Sequence, residues 1–368
     1  MFVVLHTSTT HALVPDRRRD FAKRRPNEYL LIPAVASLPG IGVFAGIITA
    51  VSNIADTGIN VGGTLAESID DSDIEIQAIA LEDIPLFPPS VKLDYQAAHI
   101  KVGNLETYLP GRDSPNFTIP VTGEFNYQFV SPTFRSEERR FNAWYNLSYF
   151  DGFDYDENGN EKPLARHGAG AGLLLDLTDD VVDPRIGVRF IYNTTLHAPK
   201  KSPFGENEGE DGAFGNGDDV RIRDYALVLY FPLAQQWYLA WANTYFKATG
   251  QEDSGNIVAG GSPPLRGYPG GRWSDRFGFF SGLDLRYNIP MALKLDWLLV
   301  SALLEDIQLA VFYEVGQVSP VDDGTLYEDL HHSYGGGVRA LFEGIVLRLD
   351  MAYSDEGQQT HLTIGQAF

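Results

Sequence analysis

Few stretches of this chain set chemically capable residue types at a spacing that chemistry uses. Asp154-Tyr155-Asp156-Glu157-Asn158-Gly159 matches the opening half of a calcium loop, Asp-x-Asp-x-Asn-Gly, in which alternate oxygens converge on one hard cation and the glycine permits the sharp turn. The twelfth position of such a loop needs a bidentate carboxylate, and here it is Ala165, so a solvated acidic loop is expected instead. Glu206 to Asp219 adds further acidic residues amid glycine and asparagine, the composition of a hydrophilic loop. His331 and His332 follow Glu328 and Asp329, but neighbours on an extended chain point to opposite sides, so they read as surface histidines and not as paired metal ligands. No nucleophile elbow, phosphate-cradling loop or paired-acid arrangement is recognisable, so the expectation is not an enzyme, with no metal site and no cofactor.

The stretch that invites a functional reading is Leu265-Arg266-Gly267-Tyr268-Pro269-Gly270-Gly271-Arg272. Glycine and proline supply turn geometry, while Arg266 carries a permanent charge on a planar fork of donors that needs planar acceptors wherever it loses water. By itself the stretch fits an exposed cationic loop equally well. What decides between the two is the set of elements around it.

Those elements are bounded first by composition. The chain has 368 residues, no cysteine and a formal net charge of −21, so no disulfide framework is available and no basic footprint exists for nucleic acid. No run approaches the ~18 uninterrupted apolar residues of a membrane helix, yet 12% of residues are aromatic and 37 are glycine, which leaves a β-barrel open. Residues 1–12 resemble the tail of a signal peptide, a short apolar patch running into Thr-His-Ala. The charged n-region is missing, which suggests a start codon placed too late in the gene and a mature chain from about Leu13. Residues 13–27 form a basic lead-in, and 28–368 the main body.

From Tyr29 onward, alternation at period two replaces any helical period. At Ile345 to Ser354, Ile345, Leu347, Leu349, Met351 and Tyr353 take one face, while Val346, Arg348, Asp350, Ala352 and Ser354 take the other. One face suits lipid and the other water. The same split recurs at Phe117 to Phe129, with the aromatic residues opposite Thr118, Glu124, Asn126 and Gln128, and again at Phe141 to Tyr149. Regular segments of about 10 to 14 residues match tilted membrane strands better than the ~5 to 6 of a soluble sandwich. Eleven strands can be placed before the Arg266 stretch and five after it, with the long polar loops all following odd-numbered strands. The reading is all-β: a transmembrane antiparallel barrel of about 16 strands. Residues 289–304, Ile-Pro-Met-Ala-Leu-Lys-Leu-Asp-Trp-Leu-Leu-Val-Ser-Ala-Leu-Leu, break the pattern with an apolar insert in a short turn. A short interfacial helix or partner-docking segment is expected there, the alternative being two longer strands.

In this setting Leu265, Arg266, Gly267 and Tyr268 resemble the Val/Leu-Arg-Gly-Phe/Tyr lid signature of the BamA and two-partner-secretion barrel superfamily, also called the bacterial surface antigen family. There the loop follows the eleventh of sixteen strands, folds into the lumen and docks its arginine on acidic wall residues. Phe312, Glu314 and Gly316 match the family's Phe-x-Asp/Glu-x-Gly pattern on the thirteenth strand, and alternation turns them inward together with Asp284 and Arg286. Glu314 is the expected partner of Arg266, with Asp284 as a second acceptor or neutralised by Arg286. Ile364, Gly365 and Phe368 match the family's carboxy-terminal ending of an apolar residue, glycine, two variable residues and an aromatic, a sorting signal for outer-membrane assembly. The departure is at the other end, where no polypeptide-transport-associated (POTRA) domain is found ahead of the first strand.

The resemblance implies a bacterial outer-membrane location, with long loops extracellular and termini periplasmic. It implies assembly or translocation of polypeptides through a weakly paired first-to-last seam, with a separate periplasmic or secreted protein partner. Contact with outer-membrane lipid and lipopolysaccharide is expected, and a homo-oligomer is left open. The competing readings are a barrel that only anchors a partner in a complex, and a lid-gated passive pore.

Overall fold

The computed structural model describes residues 28–38, 42–71, 73–87, 90–108, 111–114, 118–136, 140–155, 161–199, 220–250, 257–259, 264–297, 300–342 and 346–368. The leader and basic lead-in, Asp156 to Gly159 of the calcium-like stretch and the acidic run 206–219 lie outside them.

Eleven strands come first: β1 (Glu28–Leu38), β2 (Gly42–Ser52), β3 (Asn60–Ser68), β4 (Ile74–Phe87), β5 (Val91–Tyr108), β6 (Thr118–Arg135), β7 (Phe141–Tyr155), β8 (Glu161–Thr178), β9 (Gly187–Pro199), β10 (Val220–Ala234) and β11 (Trp237–Thr249). The short pair β12 (Ile257–Ala259) and β13 (Trp273–Asp275) then brackets the Arg266 stretch. Five more strands follow: β14 (Phe277–Trp297), β15 (Val300–Ser319), β16 (His331–Phe342), β17 (Val346–Ser354) and β18 (Gly357–Ile364). Apart from β12 and β13, they form one 16-stranded antiparallel sheet in sequence order, the architecture of a transmembrane β-barrel. β18 comes alongside β1, but among the described residues no ladder joins the two. The ring is tied instead by a bridge between Leu30 of β1 and Val300 of β15.

Alternation explains the wall. On β17, Leu349, Met351 and Tyr353 are exposed to the outside, while Val346, Arg348, Asp350 and Ala352 are buried on the lumen side. Outward aromatics align across strands as a girdle requires: Tyr192, Tyr225 and Tyr245 are register partners on β9, β10 and β11, with ring centroids 5.0 and 6.2 Å apart. At the opposite edge Trp237 and Tyr287 pair at 4.8 Å. The longest connections all leave the first edge, called here the loop end; the other edge is the turn end.

Two expectations are corrected. The aromatic row of β6 faces inward at Phe125, which packs with buried Phe44, Ile74 and Val102, whereas the outer face there carries the ion pairs Lys101–Glu75 at 3.5 Å and His99–Glu124 at 3.8 Å. A tilted strand crosses a bilayer in about 9–11 residues. β5, β6 and β8 have 18 each, so their loop-end portions rise past the apolar band, with water outside and a small apolar core within. The apolar insert 289–304 is not a helix; among the described residues it is strand. It lengthens β14 to 21 residues and β15 to 20, one hairpin running past the turn end, with a bulge between Pro290 and Leu293 where Ala292 adopts positive φ. The β14–β15 ladder continues from Leu293↔Leu304 to Trp297↔Val300, so pairing satisfies its backbone where a helix would have to abandon the ladder.

Candidate functional site

The lid enters the lumen through two tight turns. Leu265 takes φ 69°, Tyr268 N–H donates to the Leu265 carbonyl at 3.2 Å, and Arg272 N–H donates to the Pro269 carbonyl at 3.3 Å. Leu265 and Tyr268 pack with Trp273, Phe280 and Val318 into a buried apolar foot, so the loop is held by packing as well as by charge. Gly267 is required because a Cβ there would overlap the Tyr353 backbone carbonyl; its N–H donates to Ser333 Oγ at 2.7 Å and its carbonyl accepts from Ser354 Oγ at 2.8 Å.

Arg266 is fully buried. Its Nε donates to Glu314 Oε1 at 2.9 Å, its backbone N–H to Glu314 Oε2 at 2.8 Å, and its Nη1 to Asp350 Oδ2 at 2.5 Å. The guanidinium lies 3.4 Å from the centroid of the Phe312 ring, a cation–π contact, and His361 Nε2 donates to the Arg266 carbonyl at 2.6 Å. Inward-facing Phe312, Glu314 and Gly316 therefore build the wall beneath the lid, with Gly316 leaving room for the Phe280 ring. Asp284 does not bond Arg266. It is held by Arg339 at 2.8 Å and Arg286 at 3.1 Å. Arg348 Nε in turn lies 3.3 Å from Asp350 Oδ2 as an ion pair and donates to Thr363 Oγ1 at 2.9 Å. Sequence reasoning turned Asp350 inward without assigning it to the lid, and the register that places it there emerges only from the assembled sheet.

A second arginine fastens the rim. Arg272 donates to both oxygens of Glu356, at 2.9 and 2.8 Å from Nε, and to Ser114 Oγ and its carbonyl, each at 3.0 Å. Arg112, from the same β5–β6 loop, donates to the carbonyls of Thr325 and Glu328 at 2.9 and 3.0 Å. Tyr268 OH donates to Asp355 Oδ1 at 2.6 Å; burial, and then the neighbouring carboxylate, raise its pKa above the ordinary tyrosine value, so it stays a donor. His331 stacks on Trp273 at 3.7 Å while His332 bonds Tyr313 OH at 2.6 Å, so the two histidines diverge.

The turn end is closed as well. The β8–β9 turn is buried at Asp179, Asp180 and Asp183. Asp183 accepts from Asn288, Gln308 and Gln366 at 3.3, 3.2 and 3.0 Å, and Arg185 bridges Asp183 and Asp306 at 3.1 and 2.6 Å. Gln366 belongs to the chain's last residues, whose position differs from expectation. β18 stops at Ile364, the chain turns at Gly365 with φ 99°, and Phe368 lies inside the barrel against Val228, Tyr230, Ala240 and Ala242. Gln366 Oε1 accepts from Arg339 Nη1 at 2.8 Å, which joins the floor to the Asp284 group.

Three solved structures share this architecture. BamA from Haemophilus ducreyi lacking POTRA domains 1–3 is 12% identical with a TM-score of 0.58, over 92% of this chain and 69% of that one. CdiB from Escherichia coli is 11% identical with a TM-score of 0.60, over 93% of this chain and 62% of that one. CdiB from Acinetobacter baumannii is 12% identical with a TM-score of 0.57, over 92% of this chain and 60% of that one. No protein-family model and no curated protein matches the chain. The chain has the barrel fold of these proteins, and it spans less than two thirds of either CdiB chain.

Proposed function

We propose that the chain is a bacterial outer-membrane barrel that inserts or exports polypeptides together with a separate periplasmic or secreted protein, its loop end extracellular and its turn end periplasmic. The observation that carries this reading is the seam: β1 and β18 stand side by side and, among the described residues, no ladder joins them, so away from the Leu30–Val300 bridge this is where an incoming extended segment can add by strand pairing. The fold shared with BamA and CdiB favours the same use. A lumen occupied by the lid from above and by the β8–β9 turn and Gln366 from below weighs against a passive pore.

The test is a seam lock. Leu30→Cys with Val300→Cys, backbone partners across the bridge, fixes the ring when oxidised. Outer-membrane and secreted proteomes are compared in a deletion strain complemented by wild type or by the locked pair. Loss of particular polypeptides in the deletion, restored by wild type but by the locked pair only under reducing conditions, is expected. Unchanged proteomes in the deletion would leave only an anchoring role.

A further inference from the structure

We propose that the outer wall over β6–β11 holds a lipid with a phosphorylated headgroup and several acyl chains, the chemistry of lipopolysaccharide, at the loop-end boundary of the membrane. The proposal rests on the outer-membrane reading above. A groove of about 390 Å³ opens on this wall. Its base is Val130, Leu147, Ala169 and Leu196, and it is shallowest in side-chain bulk along β8, where Ala169 and Ala171 face outward between Leu147 on one side and Leu196 on the other. Toward the loop end the lining changes to Tyr149 and His167, whose rings sit 5.3 Å apart. Such a groove accepts an acyl chain along its base and a polar linkage at its upper end.

What selects the lipid is charge. Leu196 is the register partner of Arg221 on β10, and Thr194 that of Arg223, which places two guanidinium groups on the outer face beside the groove. Arg221, Arg223 and Tyr225 share that outward face, and Tyr192, Tyr225 and Tyr245 make the aromatic row just inside them. Lys247, the partner of Arg223 on β11, extends the cationic row and is held by Asp322 at 3.0 Å. Aromatic residues at the interface with arginines one step beyond give acyl chains and phosphate separate places at the right levels, since a guanidinium meets phosphate through paired donors. In a chain of net charge −21, an outward cationic row abutting an acyl-sized groove has the complementarity to take an anionic lipid.

The experiment uses the full chain in nanodiscs of phosphatidylethanolamine and phosphatidylglycerol, with lipopolysaccharide added and its retention measured by native mass spectrometry. Wild type is expected to retain lipopolysaccharide, Arg221→Glu with Arg223→Glu to retain at least tenfold less, and Ala169→Trp, which fills the groove, to lose it similarly. Heat-modifiable migration verifies that each variant is folded, and Ala169→Leu serves as the milder groove variant if the tryptophan is not tolerated. Equal retention by folded variants overturns the proposal. Displacement by phosphatidylglycerol or by inorganic phosphate at the same concentration overturns it too, because it would reduce the site to a general anion contact, and so does a dimer that masks the groove. A chain that never enters the nanodisc would refute the membrane reading itself, an outcome distinct from insertion without lipid selectivity.

Discussion

Arg266 and Asp350 meet at 2.5 Å inside the barrel, 84 residues apart in sequence, while the same guanidinium donates to Glu314 at 2.9 Å. The lid is therefore docked on two strands, β15 and β17, and not on one. Buried ion pairs gain little net stability, because desolvation opposes the Coulomb attraction, but removing one partner strands the others. Arg266 Nη2 and Asp350 Oδ1 also have no partner among the described residues, which further limits the depth of the docked state.

Arg266→Glu is expected to undock the lid at a cost of about 3–5 kcal/mol, and Glu314→Arg to do the same. The swapped double variant should recover only part of this, since the carboxylate introduced at position 266 would then face Asp350; adding Asp350→Asn should raise the recovery. Protease clipping near Pro269 and single-channel conductance measure it. Clipping at the wild-type rate in both single variants would show that the lid does not depend on this pair.

Gly267→Ala should loosen the lid by about 1–3 kcal/mol although it removes no charge, because the new methyl meets the Tyr353 backbone, which cannot move without breaking β17. Conductance and clipping indistinguishable from wild type would mean that the loop finds another seat.

Arg272→Ala should open the rim while leaving Arg266 docked, losing hydrogen bonds to Glu356 and Ser114 worth about 1–3 kcal/mol each for a charged donor. The expected signature is conductance flicker without faster clipping at Pro269. Simultaneous loss of both readouts would show a single latch in place of two.

Phe368→Asp should lower the heat-resistant fraction by putting a charge into the Val228–Ala242 cluster, whereas Phe368→Leu should be tolerated. Gly282→Ala acts from the opposite side, since its Cβ would stand 2.6 Å from Phe368 Cζ. Equal abundance and migration for Phe368→Asp and wild type would remove both a packing role and a sorting role.

Much of the wall was legible because alternation is a local rule. Glu314, Asp284 and Arg286 follow from their positions on single strands, and so does the outward row Leu349, Met351 and Tyr353. What could not be read depends on contacts between distant segments. Asp183 looks like any turn residue until the barrel brings Asn288, Gln308 and Gln366 over it. Phe368 satisfies a strand pattern, and only the positive φ at Gly365, which glycine allows, turns it inward. The inward aromatic at Phe125 was hidden because periodicity gives two faces without saying which one meets lipid, and that answer changes with height along an 18-residue strand.

The bridge between Leu30 and Val300 bears on how the molecule is made. Those two residues come from opposite ends of the barrel sequence, so the ring cannot close until β15 exists, and every shorter nascent chain is an open sheet with two bare edges. Such sheets fold slowly and pair readily with one another. Truncations ending before Val300 should accumulate as aggregates, whereas chains that include the β14–β15 hairpin can form the one bridge that ties the two ends of the sheet together.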